Sequence, residues 1–236
     1  VGLVQAEHLV ESLDGLHVAH AGKNPTQLPN PFEHVRREEL LFLARSAVAD
    51  FQRREQAHLG SGAEVLFSVQ NRGKGASLRR GFQWFLGHPY QTLVLMDADG
   101  QHDPKEIDFF LDALDQTKSD LVIGNRMSRP EGMPLIRVIT NRFMSWVISS
   151  MTGQKILDSQ CGYRALKRGL IEKMSLKTTR FEIESEIILE AARLGFKISS
   201  VSITSVYEGS TSHIQPFKDA YRFFKFLFNY SFKRLI

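Results

Sequence analysis

The sequence predicts an α/β fold, a mostly parallel central sheet flanked by helices. Three observations carry that expectation. From Glu64 onward, short apolar runs alternate with longer stretches of helical spacing. Two of those runs empty at their carboxyl ends into chemically loaded turns, Asn71–Gly75 and Asp97–Asp103. Ligands of open α/β sheets gather at that edge. The composition is that of an ordinary soluble globular protein, with 42% apolar and 24% charged residues in a chain of 236.

The first 60 residues carry the weakest pattern. Gln5–Leu13 has helical character, Leu16–Ala19 the length of a short strand, and Asn24–Phe32, with three prolines and two asparagines, reads as a loop. Leu40, Leu41, Ala44, Val48 and Phe51 recur at helical spacing, so Arg37–Leu59 is expected to be a helix. Strands are then expected at 64–69, 92–96, 120–124 and 198–205, and helices at 75–86, 104–115, 137–151 and 181–194. Leu93–Met96 is too short and too abruptly ended to be helical. In the helix from Phe181, Ile183, Ile187, Ile188, Ala191 and Leu194 share one arc, with Glu182, Glu186, Glu190 and Arg193 on a solvated opposite face. Glu184 falls inside the apolar arc, so it is expected to be paired, capped or facing a site. There is no internal repeat, low-complexity tract or linker.

Net charge is +4 and the pI about 9.2, which suits an anionic substrate or membrane surface and demands no nucleic acid. The single cysteine, Cys161, excludes an internal disulfide and a cysteine-based zinc site. No run approaches the ~18 apolar residues of a membrane span, and no secretory signal is visible. The chain begins at Val1, as a piece of a longer protein would.

Asp97, Asp99 and Asp103, with Gln101, crowd oxygen ligands into one turn. That set suits Mg²⁺ or Mn²⁺ rather than Zn²⁺, against the alternative of an acidic solvated loop. Asn71-Arg-Gly-Lys-Gly75 opens a helix after a strand. It is either a place where glycine backbone, helix N–H groups and Lys74 meet an anion, or a simple basic turn. Arg126 closes the next strand, placed either to grip phosphate or to lie on the surface. Arg137 and Asn141, four apart, share a helix face. The apolar residues of that helix (Phe143, Met144, Trp146, Val147, Ile148, Met151) read as core, and Arg137 as a head-group contact. Asp158–Arg164 packs Asp158, Gln160 and Arg164 close together, as a buried ion pair or as acceptor-orienting and phosphate-holding groups. Phe217–Ile236 combines five further phenylalanines with a stripe of Lys218, Arg222, Lys225 and Lys233. It reads as a membrane-interfacial helix or a docked terminal one.

In this order, Asn71–Gly75, Asp97–Pro104, Asp158–Arg164 and Phe181–Glu186 resemble the family 2 glycosyltransferases of GT-A fold, nearest the dolichyl- or polyprenyl-phosphate hexosyltransferases, over about residues 64–225. The resemblance implies Asp97, Asp99 and Gln101 as metal ligands for Mg²⁺ or Mn²⁺. Asp99, Asp158 and Glu184 are the candidate catalytic residues, with Asp158 or Glu184 as the base if the acceptor is a hydroxyl. Asn71, Gly73, Lys74, Asp97, Arg126, Arg137, Asn141, Gln160 and Arg164 would hold substrate. The resemblance implies a nucleotide diphosphate sugar donor, inverting transfer to a polyprenyl phosphate, and peripheral contact at the cytoplasmic face of the membrane. The organisation expected is a GT-A domain over 1–216, with 1–63 as a divergent nucleotide-binding part, and a terminal amphipathic helix over 217–236. Two features depart from the family. The aspartates expected near the start are absent, and Tyr207–His213 stands where an arginine and a lysine are usual. Transfer to a saccharide or lipid hydroxyl, and a catalytically silent sugar-nucleotide binder, are therefore the rival expectations. A nucleotidyltransferase is weaker, because no Gly-x-Gly-Thr-Arg loop follows a first strand.

Overall fold

Seven strands form one sheet in the order β3-β1-β2-β4-β6-β5-β7. They are β1 (Leu13–His20), β2 (Leu40–Val48), β3 (Ala63–Leu66), β4 (Thr92–Asp97), β5 (Leu121–Asn125), β6 (Arg164–Lys167) and β7 (Ile198–Ser202). The helices are α1 (Lys74–Leu86), α2 (Ile107–Gln116), α3 (Leu135–Thr152), α4 (Arg168–Lys173), α5 (Ile183–Arg193) and α6 (Pro216–Phe232). This is a computed structural model; it describes residues 13–20, 40–48, 63–66, 72–97, 101–204 and 216–232.

The sheet is mixed. β2 runs parallel to β4 and β5 to β7, whereas β1 is antiparallel to both β2 and β3, and β6 to both β4 and β5. Five strands therefore share one direction, as expected, while two reversed strands sit among them and make most neighbouring pairs antiparallel. β6 is the insertion that matters. Its first residue, Arg164, lies opposite Leu95 on one side and Ile123 on the other. The loop that enters β6 must therefore cross the carboxyl ends of β4 and β5 together.

β4 and β5 read as continuous apolar runs because both faces are covered. Leu93, Val94, Leu121, Val122 and Ile123 are fully buried, packed with Phe85 of α1, Phe110 of α2, Ile148 of α3 and Ile187 of α5. Each such side chain stabilises the fold by about 1.5–3 kcal/mol relative to exposure. α3 stops at Gly153, whose φ of 66° places it in the left-handed region while its N–H bonds the Ser149 carbonyl at 2.9 Å. Among the described residues no helix is long and apolar enough to cross a membrane.

Several expectations change. The helix expected over Arg37–Leu59 is, over Leu40–Val48, the strand β2; an unbroken apolar run does not distinguish a buried strand from a helix. The helical reading of Gln5–Leu13 falls outside the described residues up to its last residue, which begins β1. The strands expected at 64–69 and 198–205 are Ala63–Leu66 and Ile198–Ser202. The face of α5 expected to be solvated is covered: Glu186 and Glu190 are 4% and 5% exposed. Glu186 Oε1 accepts the Lys177 N–H at 2.9 Å, and its Oε2 accepts the Thr178 N–H and hydroxyl at 2.9 and 2.6 Å. Glu190 accepts from Arg193 and from the Tyr230 hydroxyl of α6 at 3.0 Å. The terminal helix docks, with Phe223 and Leu227 in the core and Phe224 and Phe228 exposed.

Candidate active site at the carboxyl edge of the sheet

Three elements meet on one buried ammonium. Lys74, the first residue of α1, donates to Asp97 Oδ1 at the end of β4 at 2.7 Å, and to Glu184 Oε1 in the first turn of α5. Lys74 and Glu184 are each 6% exposed. Burial opposes the charge on Lys74, but Asp97 and Glu184 outweigh it and hold its pKa above the ordinary lysine value. The Phe181 ring, itself 67% exposed, stands 5.9 Å from the ammonium.

The glycines beside Lys74 serve the chain itself. Gly73 has φ 89°, and a Cβ there would lie 2.4 Å from the Thr179 carbonyl oxygen; one on Gly75 would lie 2.6 Å from that of Thr178. The Ala76 N–H bonds the Thr179 oxygen at 3.3 Å. The close approach expected for a ligand is thus taken by the segment leading into α5. Asn71 lies outside the described residues.

The loop from Asp158 to Gly162 closes the same edge. Asp158 is fully buried and paired with Arg126 through both oxygens, Nε to Oδ2 at 2.8 Å and Nη2 to Oδ1 at 3.0 Å. The backbone N–H groups of Arg126 and Gln160 add bonds at 3.2 and 3.3 Å. A Cβ on Gly162 would meet Asp97 Oδ2 at 2.2 Å, so the absence of a side chain lets that carboxylate rest on the loop. Arg164, 1% exposed, donates to the carbonyls of Cys161, Ser159 and Glu184 at 2.7, 2.9 and 2.7 Å. Desolvation depresses its pKa. Its placement makes it a brace between loop and helix and gives no support to a phosphate-holding role. The Gln160 amide nitrogen donates to the Ser159 hydroxyl at 3.2 Å.

α3 carries a polar seam toward this loop. Ser145 Oγ accepts the Ser159 N–H at 2.8 Å. One turn earlier, Asn141 is 7% exposed and its amide nitrogen has no hydrogen-bond partner among the described residues, which is unusual for a buried polar group. Half-buried Arg137 is one turn earlier again. Of the six α3 residues read as core, Met144 and Ile148 are buried and Val147 half-buried, whereas Phe143, Trp146 and Met151 are exposed. Val138, Met144 and Ile148 are buried, whereas Leu135, Ile136, Ile139, Phe143 and Trp146 are 50–73% exposed.

Of the acidic turn, Asp97 is 29% exposed at its side chain, Gln101 is half-buried, and Asp99 lies outside the described residues. Asp103 is a cap: Oδ1 accepts the Lys105 N–H at 2.9 Å, and its carbonyl accepts the Tyr163 hydroxyl at 3.2 Å. Among the described residues no three His, Cys, Asp or Glu side chains converge as a metal cluster. Asp97 and Gln101, which bracket Asp99 in the sequence, offer a carboxylate and an amide oxygen, donors that fit a hard divalent cation. Glu106 was not anticipated. It is buried, with Oε1 accepting from the Thr204 N–H and hydroxyl at 2.8 and 2.7 Å; no sequence pattern announced it.

The polyprenol monophosphomannose synthase of Mycolicibacterium smegmatis is 32% identical over 146 residues, 59% of this chain and 55% of that one. The undecaprenyl-phosphate mannosyltransferase of Micrococcus luteus is 34% identical over 150 residues, 60% of each chain. The UDP-N-acetylglucosamine–dolichyl-phosphate N-acetylglucosaminyltransferase of Methanococcus voltae is 29% identical over 143 residues, 58% of this chain and 57% of that one. The chain thus spans 55–60% of the length of these relatives. Among solved structures, glucosyl-3-phosphoglycerate synthase from Mycobacterium tuberculosis, with Mn²⁺, UDP-glucose and phosphoglyceric acid, superposes with a TM-score of 0.53. The identity is 18%, over 72% of this chain and 60% of that one. That likeness establishes the GT-A architecture. The family model described as "Glycosyl transferase family 2" matches residues 47–175. With more than half of its residues inside that match, the chain belongs to glycosyl transferase family 2.

Proposed function

We propose that this chain is the catalytic part of an inverting glycosyltransferase that moves a hexose from a nucleotide diphosphate sugar to a polyprenyl phosphate of dolichyl type. The observation that carries this reading is the division of α3. One side bears Arg137, Asn141 and Ser145, the last bonded to Ser159 of the Asp158–Gly162 loop; the other leaves Leu135, Ile136, Ile139, Phe143 and Trp146 outside. A single helix thereby offers an anionic head group a cation and an unpartnered amide, and offers its hydrocarbon tail an apolar strip. Phe224 of α6, 6.0 Å from Phe143 between ring centroids, extends that strip. The strip supports peripheral contact with a membrane surface, which this reading assigns to the cytoplasmic face. The relatives named for transfer to undecaprenyl phosphate and dolichyl phosphate agree with the acceptor class.

In the reaction, an acceptor phosphate oxygen attacks the anomeric carbon, the bond from that carbon to the donor diphosphate breaks, and the nucleoside diphosphate leaves. The acceptor is already anionic at neutral pH, so no strong base is needed. The disposition of the candidate bases agrees. Both oxygens of Asp158 are occupied by Arg126, and Glu184 is paired with Lys74. Asp158 then orients Arg126 at the end of β5, and Lys74, shared between Asp97 and Glu184, fixes the carboxylate of Asp97 at the end of β4, where the donor diphosphate would lie. Asp97, Asp99 and Gln101 would hold Mg²⁺ or Mn²⁺, which when bound supplies Lewis-acid neutralisation of the leaving group. Asn71, Gly73 and Gln160 remain proposed as donor or acceptor contacts. Residues 1–63 are the proposed nucleotide-base part of the 1–216 domain, and 217–236 the interfacial helix.

The test is transfer from a panel of nucleotide sugars, with Mn²⁺ or Mg²⁺, to polyprenyl phosphate and to the matching polyprenol in vesicles. Transfer to the phosphate and not the alcohol is expected. Equal transfer to the alcohol would move the assignment to a hydroxyl acceptor, and no transfer from any donor would leave a silent binder.

A further inference from the structure

We propose that Glu184 is a positioning residue that acts through Lys74: it takes up part of the ammonium's charge, so that Asp97 keeps acidic character for a divalent cation. The proposal rests on the functional reading above and goes beyond it, because that reading gives Asp97 to the metal without asking why the neighbouring lysine does not cancel it. Two carboxylates share the one ammonium; without Glu184 the surroundings of Asp97 are one unit more positive, and Asp97 alone meets the ammonium. The place of Glu184 is fixed from two sides. Its carboxylate meets Lys74, and its carbonyl accepts Arg164 Nη1 at 2.7 Å. Arg164 also holds the carbonyls of Ser159 and Cys161, and the same loop carries Gly162, on which Asp97 Oδ2 rests. Lys74, Asp97, the loop, Arg164 and Glu184 thus form a closed circuit of contacts. With Glu184 gone, the buried ammonium has Asp97 as its remaining carboxylate in that circuit and pairs with it fully. A cation arriving at Asp97 must then displace a desolvated lysine.

The experiment is Mn²⁺ titration of the purified chain by electron paramagnetic resonance, with UDP or GDP present and without, on the wild type, Glu184→Gln and the double variant Lys74→Met/Glu184→Gln. Thermal unfolding of each variant accompanies it. Glu184→Gln is expected to bind Mn²⁺ about tenfold more weakly, a change of about 1.4 kcal/mol. The double variant, which removes the competitor and leaves no buried charge unpaired, is expected to return to within about threefold of the wild type. That non-additivity is the signature of one residue working through another. Should Glu184→Gln fail to fold, Glu184→Asp, which draws the carboxylate back by about one methylene, takes its place with a smaller loss in the same direction. Wild-type affinity in Glu184→Gln, or a double variant weaker than the single one, overturns the proposal and leaves the functional reading standing. A wild type that binds no Mn²⁺ with either nucleotide removes the metal from that reading and this proposal with it.

Discussion

Replacing Asp158 by asparagine keeps the size of the side chain and removes its charge. Asp158 is fully buried and Arg126 only 4% exposed, and the guanidinium meets both carboxylate oxygens at 2.8 and 3.0 Å. Asparagine can accept at one position but turns an NH₂ toward the guanidinium at the other, so a buried positive charge loses its counter-ion. Breaking such a pair costs about 3–5 kcal/mol. In a domain of this size each kcal/mol lowers Tm by about 2–4 °C. Asp158→Asn should therefore melt roughly 6–20 °C below the wild type by circular dichroism. Arg126→Met/Asp158→Leu, which removes both charges, should recover more than half of that loss, because apolar replacement of a whole buried pair is often near neutral. If Asp158→Asn melts within about 2 °C of the wild type, the ion pair is not what holds the loop, and Asp158 belongs to the chemistry alone.

Other expectations follow from particular contacts. Gly162→Ala places a Cβ 2.2 Å from Asp97 Oδ2. The carboxylate must shift, and turnover should fall about 10²-fold with little change in Tm; unchanged turnover would show that Asp97 has room to move. Glu186→Ala removes an acceptor of three bonds from Lys177 and Thr178. It should cost about 2–4 kcal/mol by urea unfolding, while a midpoint unchanged from wild type would mean that water replaces the carboxylate. Burial pushes the Cys161 thiol up to about 12 from an ordinary 9.0. A raised folded-state pKa gives stability that is complete below pH 9 and is lost as pH rises toward 12. Alkylation of Cys161 by iodoacetamide should accordingly track global unfolding in a urea series, and rapid alkylation of the native chain would contradict the burial. Trp146, 64% exposed, should shift its fluorescence to the blue with anionic vesicles, and a static spectrum would remove α3 from the membrane contact.

The alternation of strands and helices was legible from Glu64 onward because β4, β5 and their helices are local patterns. β2 was not, since Leu40–Leu43 is apolar at every position and periodicity has nothing to separate strand from helix. β6 was missed for a different reason: Arg164–Lys167 is four residues long and opens on a charged residue, and what makes it a strand is the pair of neighbours it slots between. Within the site, the sequence located Lys74, Asp97, Asp158 and Glu184 but not their pairing, which depends on residues up to 110 apart in the chain. Glu184 was marked because a carboxylate stood in an apolar arc. Glu186 and Glu190 escaped the same logic because a helical wheel cannot foresee a second covering layer. A capping argument from the threonines at 178 and 179 could have found Glu186.

The reversed strand β6 has an architectural consequence. Hydrogen-bonded to β4 on one flank and β5 on the other, it acts as a common ruler for the ends of both strands. A slip of one residue along either flank would turn its side chains over and carry the Asp158–Gly162 loop away from Asp97 and Arg126 together. A substitution that shifts this strand therefore disturbs the surroundings of Asp97 and of Arg126 in a single move.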